Sequence, residues 1–125
     1  MTVPDDVRDH VAHTLADAEA RAQAIEPPTA SHPDLDVVDA YEIQLRNIAR
    51  RVDGGARVVG HKVGLASKVM QQMMGVDEPD YGHLLDTMQY FENTPIDASR
   101  FCFPRVEVEV GFIQRHAIAG DRNHY

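Results

Sequence analysis

Hydrophobic residues recur every three or four positions in two stretches near the start of the chain. In the stretch from Asp5 to Ile25 the apolar stripe consists of Val7, Val11, Leu15, Ala18, Ala22 and Ile25. In the next stretch it consists of Val38, Tyr41, Leu45, Ile48 and Val52. This spacing places the apolar side chains on one face of a helix. The pattern predicts two amphipathic helices, the first ended by Pro27-Pro28 and the second lying between an Asp36 N-cap and Gly54-Gly55.

After residue 55 the pattern changes from helical to extended. The run from Arg57 to Leu65 is rich in β-branched residues and predicts a strand. Gly60 and Gly64 interrupt it, and glycine inside a strand often marks a bulge or a close approach to the backbone. Ser67 is expected to cap a short helix that ends at Gly75.

The remaining stretches predict a loop, a second strand and a tail. The loop runs from Val76 to Gly82, and from Val106 to Ile113 apolar and acidic residues alternate before the run becomes wholly apolar, which predicts a strand. Residues 114–125 keep neither period. The predicted fold class is therefore α+β, with a helical segment over residues 1–55 and the first part of a β-rich domain over residues 56–113.

Composition and charge exclude several classes of protein. The 125 residues suffice for one ordinary domain. A formal net charge of -8 argues against binding to a nucleic-acid backbone, which needs clustered Lys and Arg. No apolar run is long enough to cross a bilayer. The single cysteine, Cys102, and an acidic beginning without a secretory signal predict a cytoplasmic protein without an internal disulfide.

Glu107 and Glu109 are the sharpest candidates for chemistry. Two residues apart on a strand, they point to the same face with side chains roughly 7 Å apart. Carboxylates at that spacing can converge on one divalent cation, which prefers oxygen ligands. The alternative is an ordinary strand whose acidic face lies in water, and on spacing alone this alternative is favoured. A metal site also needs a third ligand, and Asp121, the acidic residue after Glu109, lies in the unpatterned tail.

Lys62 and Asp80 are weaker candidates when the residues are considered alone. Lys62 lies between two glycines, where a partly buried lysine can hold an anionic substrate or exchange a proton with a lowered pKa. The alternative is a surface lysine beside a bend, and the residues alone favour it. Asp80 belongs to an acidic loop with Asp77 and Glu78, and the loop alone explains these residues.

Three ordered motifs resemble those of the 2-keto-4-pentenoate hydratases, which belong to the fumarylacetoacetate hydrolase superfamily. The motifs are residues 59–67, 75–84 and 104–109. The helical lead-in, with Ser31-His32-Pro33, is similar to the 2-hydroxyhexa-2,4-dienoate hydratases of bacterial steroid catabolism. The related 4-oxalocrotonate decarboxylases share the same motifs and are the alternative.

The resemblance implies roles for particular residues of a metal-dependent hydro-lyase. Glu107 and Glu109 match the first two ligands of a divalent metal, Mg²⁺ or Mn²⁺, and the third protein ligand is missing from this chain. Lys62 matches the active-site lysine of a G-x-K-V-G-L motif, and Asp80 matches a candidate acid/base residue. The metal would chelate the substrate carboxylate and 2-oxygen as a Lewis acid. Ala66 departs from the family, in which threonine is commoner at this position.

The resemblance also implies a fold, a reaction and an assembly. Two N-terminal helices would precede the first strands of an incomplete fumarylacetoacetate hydrolase-like β fold. The enzyme would add water to a 2-hydroxy-2,4-dienoate, giving a 4-hydroxy-2-oxo acid in bacterial meta-cleavage catabolism of aromatic compounds or steroids, and truncation would impair it. The alternatives are a decarboxylase-like enzyme and a non-catalytic fragment or partner subunit. Full-length members imply a homo-oligomer and association with a pathway aldolase or decarboxylase.

An incomplete sheet has a physical consequence for Val106 to Ile113. A strand without neighbours should expose an unpaired edge and apolar surface, which invites association or aggregation. Marginal stability is therefore expected.

Overall fold

Four helices and one two-stranded sheet make up the regular structure of residues 2–116, which the computed structural model describes. In chain order the elements are α1 (Asp5–Ala20), α2 (Pro28–Ser31), α3 (Val37–Asp53), β1 (Val58–Gly64), α4 (Lys68–Met74) and β2 (Asp80–Leu85), followed by 3-10 turns at Asp86–Met88 and Ala98–Arg100. The predicted mixture of helix and sheet is confirmed. Most of the predicted tail, residues 117–125, lies outside the described residues.

The first helix is shorter than predicted. The apolar stripe continues to Ile25, but α1 ends at Ala20 and Ala22 adopts a φ of 48°. Ile25 is 42% exposed, so the end of the stripe gains too little apolar burial to favour another helical turn. Pro28 does not end a helix here. It opens the short helix α2 from the first helical position, where its missing N–H costs nothing.

The predicted boundaries of α3 are confirmed, and a capping box fixes its beginning. Asp36 accepts a hydrogen bond from the N–H of Asp39 at 3.0 Å, and Asp39 accepts one from the N–H of Asp36 at 3.2 Å. Gly54 follows the last helical residue as the C-cap. Local sequence signals therefore suffice to define this helix.

A small core joins α1 to α3. Its buried members are Val11, Ala12 and Ile43, with Val7, Leu15 and Leu35 packed against them. The fully buried carboxylate of Asp39 lies in the same region. Its Oδ1 accepts a hydrogen bond from Arg8 Nε at 2.8 Å, and its Oδ2 accepts one from the N–H of Val3 at 3.3 Å. Asp39 therefore links the N-terminal segment, α1 and the beginning of α3.

The sheet is an antiparallel pair in which Gly64 lies opposite Asp80. Its register shifts between Val58 and Gly60, so the prediction that glycine marks an irregularity in this strand is confirmed. The predicted loop is too long, because β2 already begins at Asp80 rather than after Gly82. Pairing with β1 outweighs the turn-like composition of this stretch.

The short helix α4 forms as predicted. Ser67 Oγ accepts a hydrogen bond from the N–H of Met70 at 3.2 Å, which caps the first turn. Gly75 ends the helix with a φ of 71°, in the left-handed region that favours glycine.

The strand predicted from Val106 to Ile113 is absent from the described structure. Residues 106–113, hereafter the 106–113 segment, contain no assigned strand or helix. Alternation alone does not form a strand, because a strand needs hydrogen bonds from a neighbour. The predicted exposure of apolar surface is confirmed, since Val106 is 98% and Val108 is 99% exposed.

Among residues 2–116 no helix combines the length and the apolar character that crossing a membrane requires.

We expect Asp39→Asn to lower the midpoint of urea unfolding clearly. Both carboxylate oxygens of Asp39 accept hydrogen bonds. The amide group of an asparagine would point its own N–H toward one of the groups that now donate to Asp39. Arg8 would also lose its buried counter-charge. The measurement is urea unfolding followed by circular dichroism, with the exposed Asp34→Asn as control. Equal midpoints for the two variants would contradict the linking role of Asp39.

We expect the double variant Val108→Lys/Phe112→Lys to reduce self-association, because both side chains are almost fully exposed apolar groups. Light scattering on a size-exclusion column, across a range of protein concentrations, measures the effect. The thermal melt should stay unchanged. Met73→Lys, at an exposed apolar position on α4, is the control and should leave association as it is in the unmodified chain.

Candidate functional site

One face of the β1–β2 pair carries two of the residues singled out by the sequence. Lys62 and Gly64 are two positions apart on β1 and therefore point to the same face. Asp80 lies directly opposite Gly64, and residues directly opposite in an antiparallel pair share a face. Lys62 and Asp80 therefore lie on the same face, hereafter the lysine face.

The 106–113 segment reaches the lysine face through an ion pair. Lys62 Nζ donates a hydrogen bond to Glu109 Oε1 at 2.5 Å, although the two residues are 47 positions apart in sequence. The two side chains are 48% and 59% exposed. At that exposure the pair adds little to stability. Its significance is geometric, because it brings a glutamate of the third motif to the lysine of the first.

The charges around Lys62 keep it in its ammonium form. The hydrogen bond to Glu109 raises the pKa of Lys62 above its ordinary value, against the opposing effect of burial, and the charges of Glu107 and Asp80 raise it further. The raised pKa favours the predicted role of Lys62 in holding an anion over its predicted role in exchanging a proton. Lys62 is suited to hold an anion.

The carboxylates near Lys62 form only part of a metal site. Glu107 and Glu109 offer the oxygen donors that hard divalent cations prefer. Within residues 2–116, however, no group of three or more His, Cys, Asp or Glu side chains is placed to hold a metal ion. Glu109 Oε1 is also occupied by Lys62. The donor chemistry thus fits a divalent cation, but the described donor set is incomplete.

Aromatic and amide side chains tie the hairpin to α3. Tyr81 of β2 stacks on Tyr41 of α3, with ring centroids 4.9 Å apart and an interplanar angle of 23°. Gln44 of α3 donates a hydrogen bond to the carbonyl of Tyr81 at 3.3 Å, and its Oε1 lies 3.3 Å from His83 Nδ1. Sequence reasoning missed this anchor, although Tyr41 was assigned to the apolar stripe of the helix.

His61 and His83 form a pair across the hairpin. They lie opposite each other in register, and their ring centroids are 4.8 Å apart. Burial lowers the pKa of His83, and the neighbouring charge of His61 lowers it further. In the sequence, each histidine taken alone is a weak candidate for chemistry. The contact between the two rings could not be predicted there, because it depends on the register of the strands.

A cavity of about 460 Å³ opens beside Asp80. It lies between α3 and the loop that precedes β2, and its lining includes Tyr41, Leu65, Asp77 and Asp80. A volume of this order suits a small molecule. Of the four predicted site residues only Asp80 lines it, so the cavity lies beside the lysine face and does not contain it.

The comparisons with known proteins find similar sequences among the hydratases of 2-keto-4-pentenoate and related compounds. No protein-family model matches the chain. The 2-keto-4-pentenoate hydratase of Paraburkholderia xenovorans and 2-keto-4-pentenoate hydratase 3 of Pseudomonas putida are each 44% identical over 106 residues, which is 85% of this chain and 39% of the relative. The 2-hydroxyhexa-2,4-dienoate hydratase of Comamonas testosteroni is 36% identical over 108 residues, 85% of this chain and 41% of the relative.

Solved structures point the same way. The 4-oxalocrotonate decarboxylase from Pseudomonas putida G7, complexed with calcium and acetate, aligns with a TM-score of 0.67 and 31% identity over 69% of this chain and 33% of that chain. The same enzyme complexed with magnesium and adipate aligns with a TM-score of 0.63 and 33% identity over the same shares of the two chains.

The fold of the described residues is thus part of a fumarylacetoacetate hydrolase-like fold. Within that class the chain is homologous to the 2-keto-4-pentenoate hydratases and related hydratases. It spans 39% of the length of the first two relatives. The resemblance inferred from three motifs is confirmed.

We expect stability to fall as the pH drops from about 7 to about 5, because the unfolded chain binds a proton at His83 more readily than the folded chain does. Protonation would place charge next to His61, Tyr81 and Gln44, which face His83 from both strands and α3. Urea unfolding at several pH values measures the slope.

His83→Gln should flatten this slope, and His116→Gln, at an exposed position outside the hairpin, controls for the loss of one histidine. A slope that His83→Gln leaves unchanged between pH 7 and 5 would assign the effect to other groups. Carboxylates with lowered pKa values, such as Asp86, act only at a lower pH and do not interfere.

Proposed function

We propose that the chain carries part of the active site of a hydratase that adds water to a 2-hydroxy-2,4-dienoate and yields a 4-hydroxy-2-oxo acid. The observation that carries the proposal is the convergence of carboxylates from two distant motifs on Lys62. The homologues named as hydratases of 2-keto-4-pentenoate and 2-hydroxypent-2,4-dienoate support the same substrate class. Residues 56–113 would then be the first part of the catalytic domain, and residues 1–55 its helical support.

Lys62 would bind the negative charge of the substrate. Its side chain is half exposed and held in the ammonium form by its neighbours. An ammonium group has three donors, and Glu109 takes one of them in the described geometry. The remaining donors can neutralise a substrate carboxylate or the charge that develops on its 2-oxygen during the reaction.

Asp80 would move a proton in the same site. The reaction first moves the proton of the 2-hydroxyl group to C5, and the double bonds shift to C2–O and C3–C4, which gives an α,β-unsaturated ketone. The oxygen of water then bonds to C4, and a proton is delivered to C3. Both steps need a group that accepts and returns a proton. Asp80 shares the lysine face and lines the adjacent cavity, so it can reach a molecule bound between them.

Glu107 and Glu109 would hold a divalent cation, Mg²⁺ or Mn²⁺, together with oxygen donors that the described residues do not include. The two solved structures of the 4-oxalocrotonate decarboxylase are complexes with calcium and with magnesium, which supports a hard cation at this site. When bound, such a cation supplies Lewis-acid polarisation of a substrate oxygen. Glu109 would share its carboxylate between the cation and Lys62, since its second oxygen is not the one bonded to Nζ.

Decarboxylation is the alternative reaction, and the likeness to the solved 4-oxalocrotonate decarboxylase favours it. Sequence identity favours hydration, because the hydratases reach 44% whereas the curated 4-oxalocrotonate decarboxylase of Pseudomonas sp. reaches 32%. Release of CO₂ distinguishes the two reactions. A non-catalytic fragment or partner subunit would give neither signal.

Assembly is a further part of the proposal. The exposed apolar side of the 106–113 segment supports association with another polypeptide, in a homo-oligomer or with a pathway aldolase or decarboxylase. The proposed location is the cytoplasm.

The test is hydration of a 2-hydroxy-2,4-dienoate by the purified chain with Mg²⁺ or Mn²⁺. We expect the dienoate absorbance to disappear, and a chelator to stop the loss. Lys62→Ala, Asp80→Asn and Glu109→Gln should each lower the rate roughly a hundredfold or more. Asp34→Asn, at an exposed position that belongs neither to the cavity nor to the lysine face, is the control. Folded protein that leaves the absorbance unchanged would refute the proposal.

A further inference from the structure

The Asp80 carboxylate occupies the space where a side chain at position 64 would begin. A Cβ added to Gly64 would overlap Asp80 Oδ1 and would lie 3.3 Å from its Cγ. The other glycines of the hairpin differ. A Cβ on Gly60 would meet Leu84 Cδ1 at 3.8 Å, and one on Gly82 would meet Gln44 Nε2 at 3.8 Å, which are ordinary contacts.

Backbone conformation does not explain the glycine at position 64. The glycines with positive φ among the described residues are Gly55 and Gly75. Gly64 is not one of them, so an L-amino acid could adopt its backbone conformation. What distinguishes position 64 is the space that a side chain there would take from Asp80, its partner across the strand pair.

The backbone that follows Gly64 is held by a hydrogen bond from α4. Leu65 adopts a φ of 51°, a conformation that bulky residues rarely adopt. Gln71 is 3% exposed, and its Nε2 donates a hydrogen bond to the carbonyl of Leu65 at 2.7 Å. The Gln71 Oε1 in turn accepts a hydrogen bond from Lys68 Nζ at 3.0 Å. The end of β1 is thus fixed where it meets Asp80.

We propose that Gly64 is a positioning residue that leaves room for the Asp80 carboxylate on the lysine face, while Gln71 holds the end of β1 in place through Leu65. The role given to Asp80 in proton transfer rests on the proposed function. Gly64 acts through Asp80, since its neighbour across the sheet is the aspartate.

The atom that a Cβ at position 64 would overlap is Asp80 Oδ1, at the end of a short side chain. The effect of an alanine methyl group at position 64 therefore depends on whether this side chain can move. Asp80 can relieve the overlap by rotating its carboxylate away from residue 64. Gly64→Ala should therefore keep the fold and misplace the carboxylate. A glycine with a purely structural role would instead lose stability without any selective effect on Asp80.

The first test compares hydration rates with Mg²⁺ for Gly64→Ala, Asp80→Asn and the double variant. We expect Gly64→Ala to lower the rate roughly as much as Asp80→Asn, on the order of a hundredfold, and the double variant to be no slower than either. Gly60→Ala is the matched control and should leave the rate unchanged. A Gly64→Ala rate equal to that of the unmodified chain, or fully additive losses in the double variant, would overturn the proposal.

The second test does not depend on activity. The ¹³C chemical shift of the Asp80 carboxyl carbon should change in Gly64→Ala and stay the same in Gly60→Ala. Urea unfolding should show that any cost of Gly64→Ala disappears in an Asp80→Ala background. An unchanged carboxyl shift together with an unchanged cost would overturn the proposal. Failure of hydration in the unmodified chain would refute the proposed function, while these two measurements would still decide the role of Gly64.

Discussion

The antiparallel pairing of β1 with β2 is the interaction on which the candidate site depends. It places Lys62 and Asp80, which lie 18 positions apart in the numbering, on one face of a two-stranded sheet. A shift of one residue would turn Asp80 to the opposite face, because side chains alternate along a strand. The close fit between Asp80 and Gly64 is specific to the observed register. The register of the two strands therefore determines which side chains meet at the candidate site.

A pair of strands is marginal in water unless one side is packed, and α3 provides that packing. Tyr41 stacks on Tyr81, and Gln44 bonds to the backbone of β2. The helix is itself held by Asp39, whose buried carboxylate joins its first turn to Arg8 of α1. The path of support runs from α1 through α3 to the hairpin. The helical segment thus contributes to the site without supplying a reacting group.

Elements defined by local signals could be predicted from the sequence, whereas elements defined by partners could not. Asp36, Ser67 and Gly75 each act within a few residues, and the helices that they bound have the predicted limits. The end of α1 and the state of the 106–113 segment depend on what packs against them. The motifs identified Lys62 and Glu109 as candidates, but their contact joins residues 47 positions apart and follows from tertiary structure.

The alternation of valine and glutamate from Val106 to Val110 links association with another polypeptide to the binding of a cation. On an extended chain the two kinds of side chain point to opposite sides. A polypeptide that covers the valine side would immobilise the backbone and so orient both glutamates toward the lysine face. Ordering the two carboxylates costs conformational entropy. Burial of the valine side chains would offset this cost before a cation binds. Association and metal affinity would then be thermodynamically linked, each strengthening the other by the same factor.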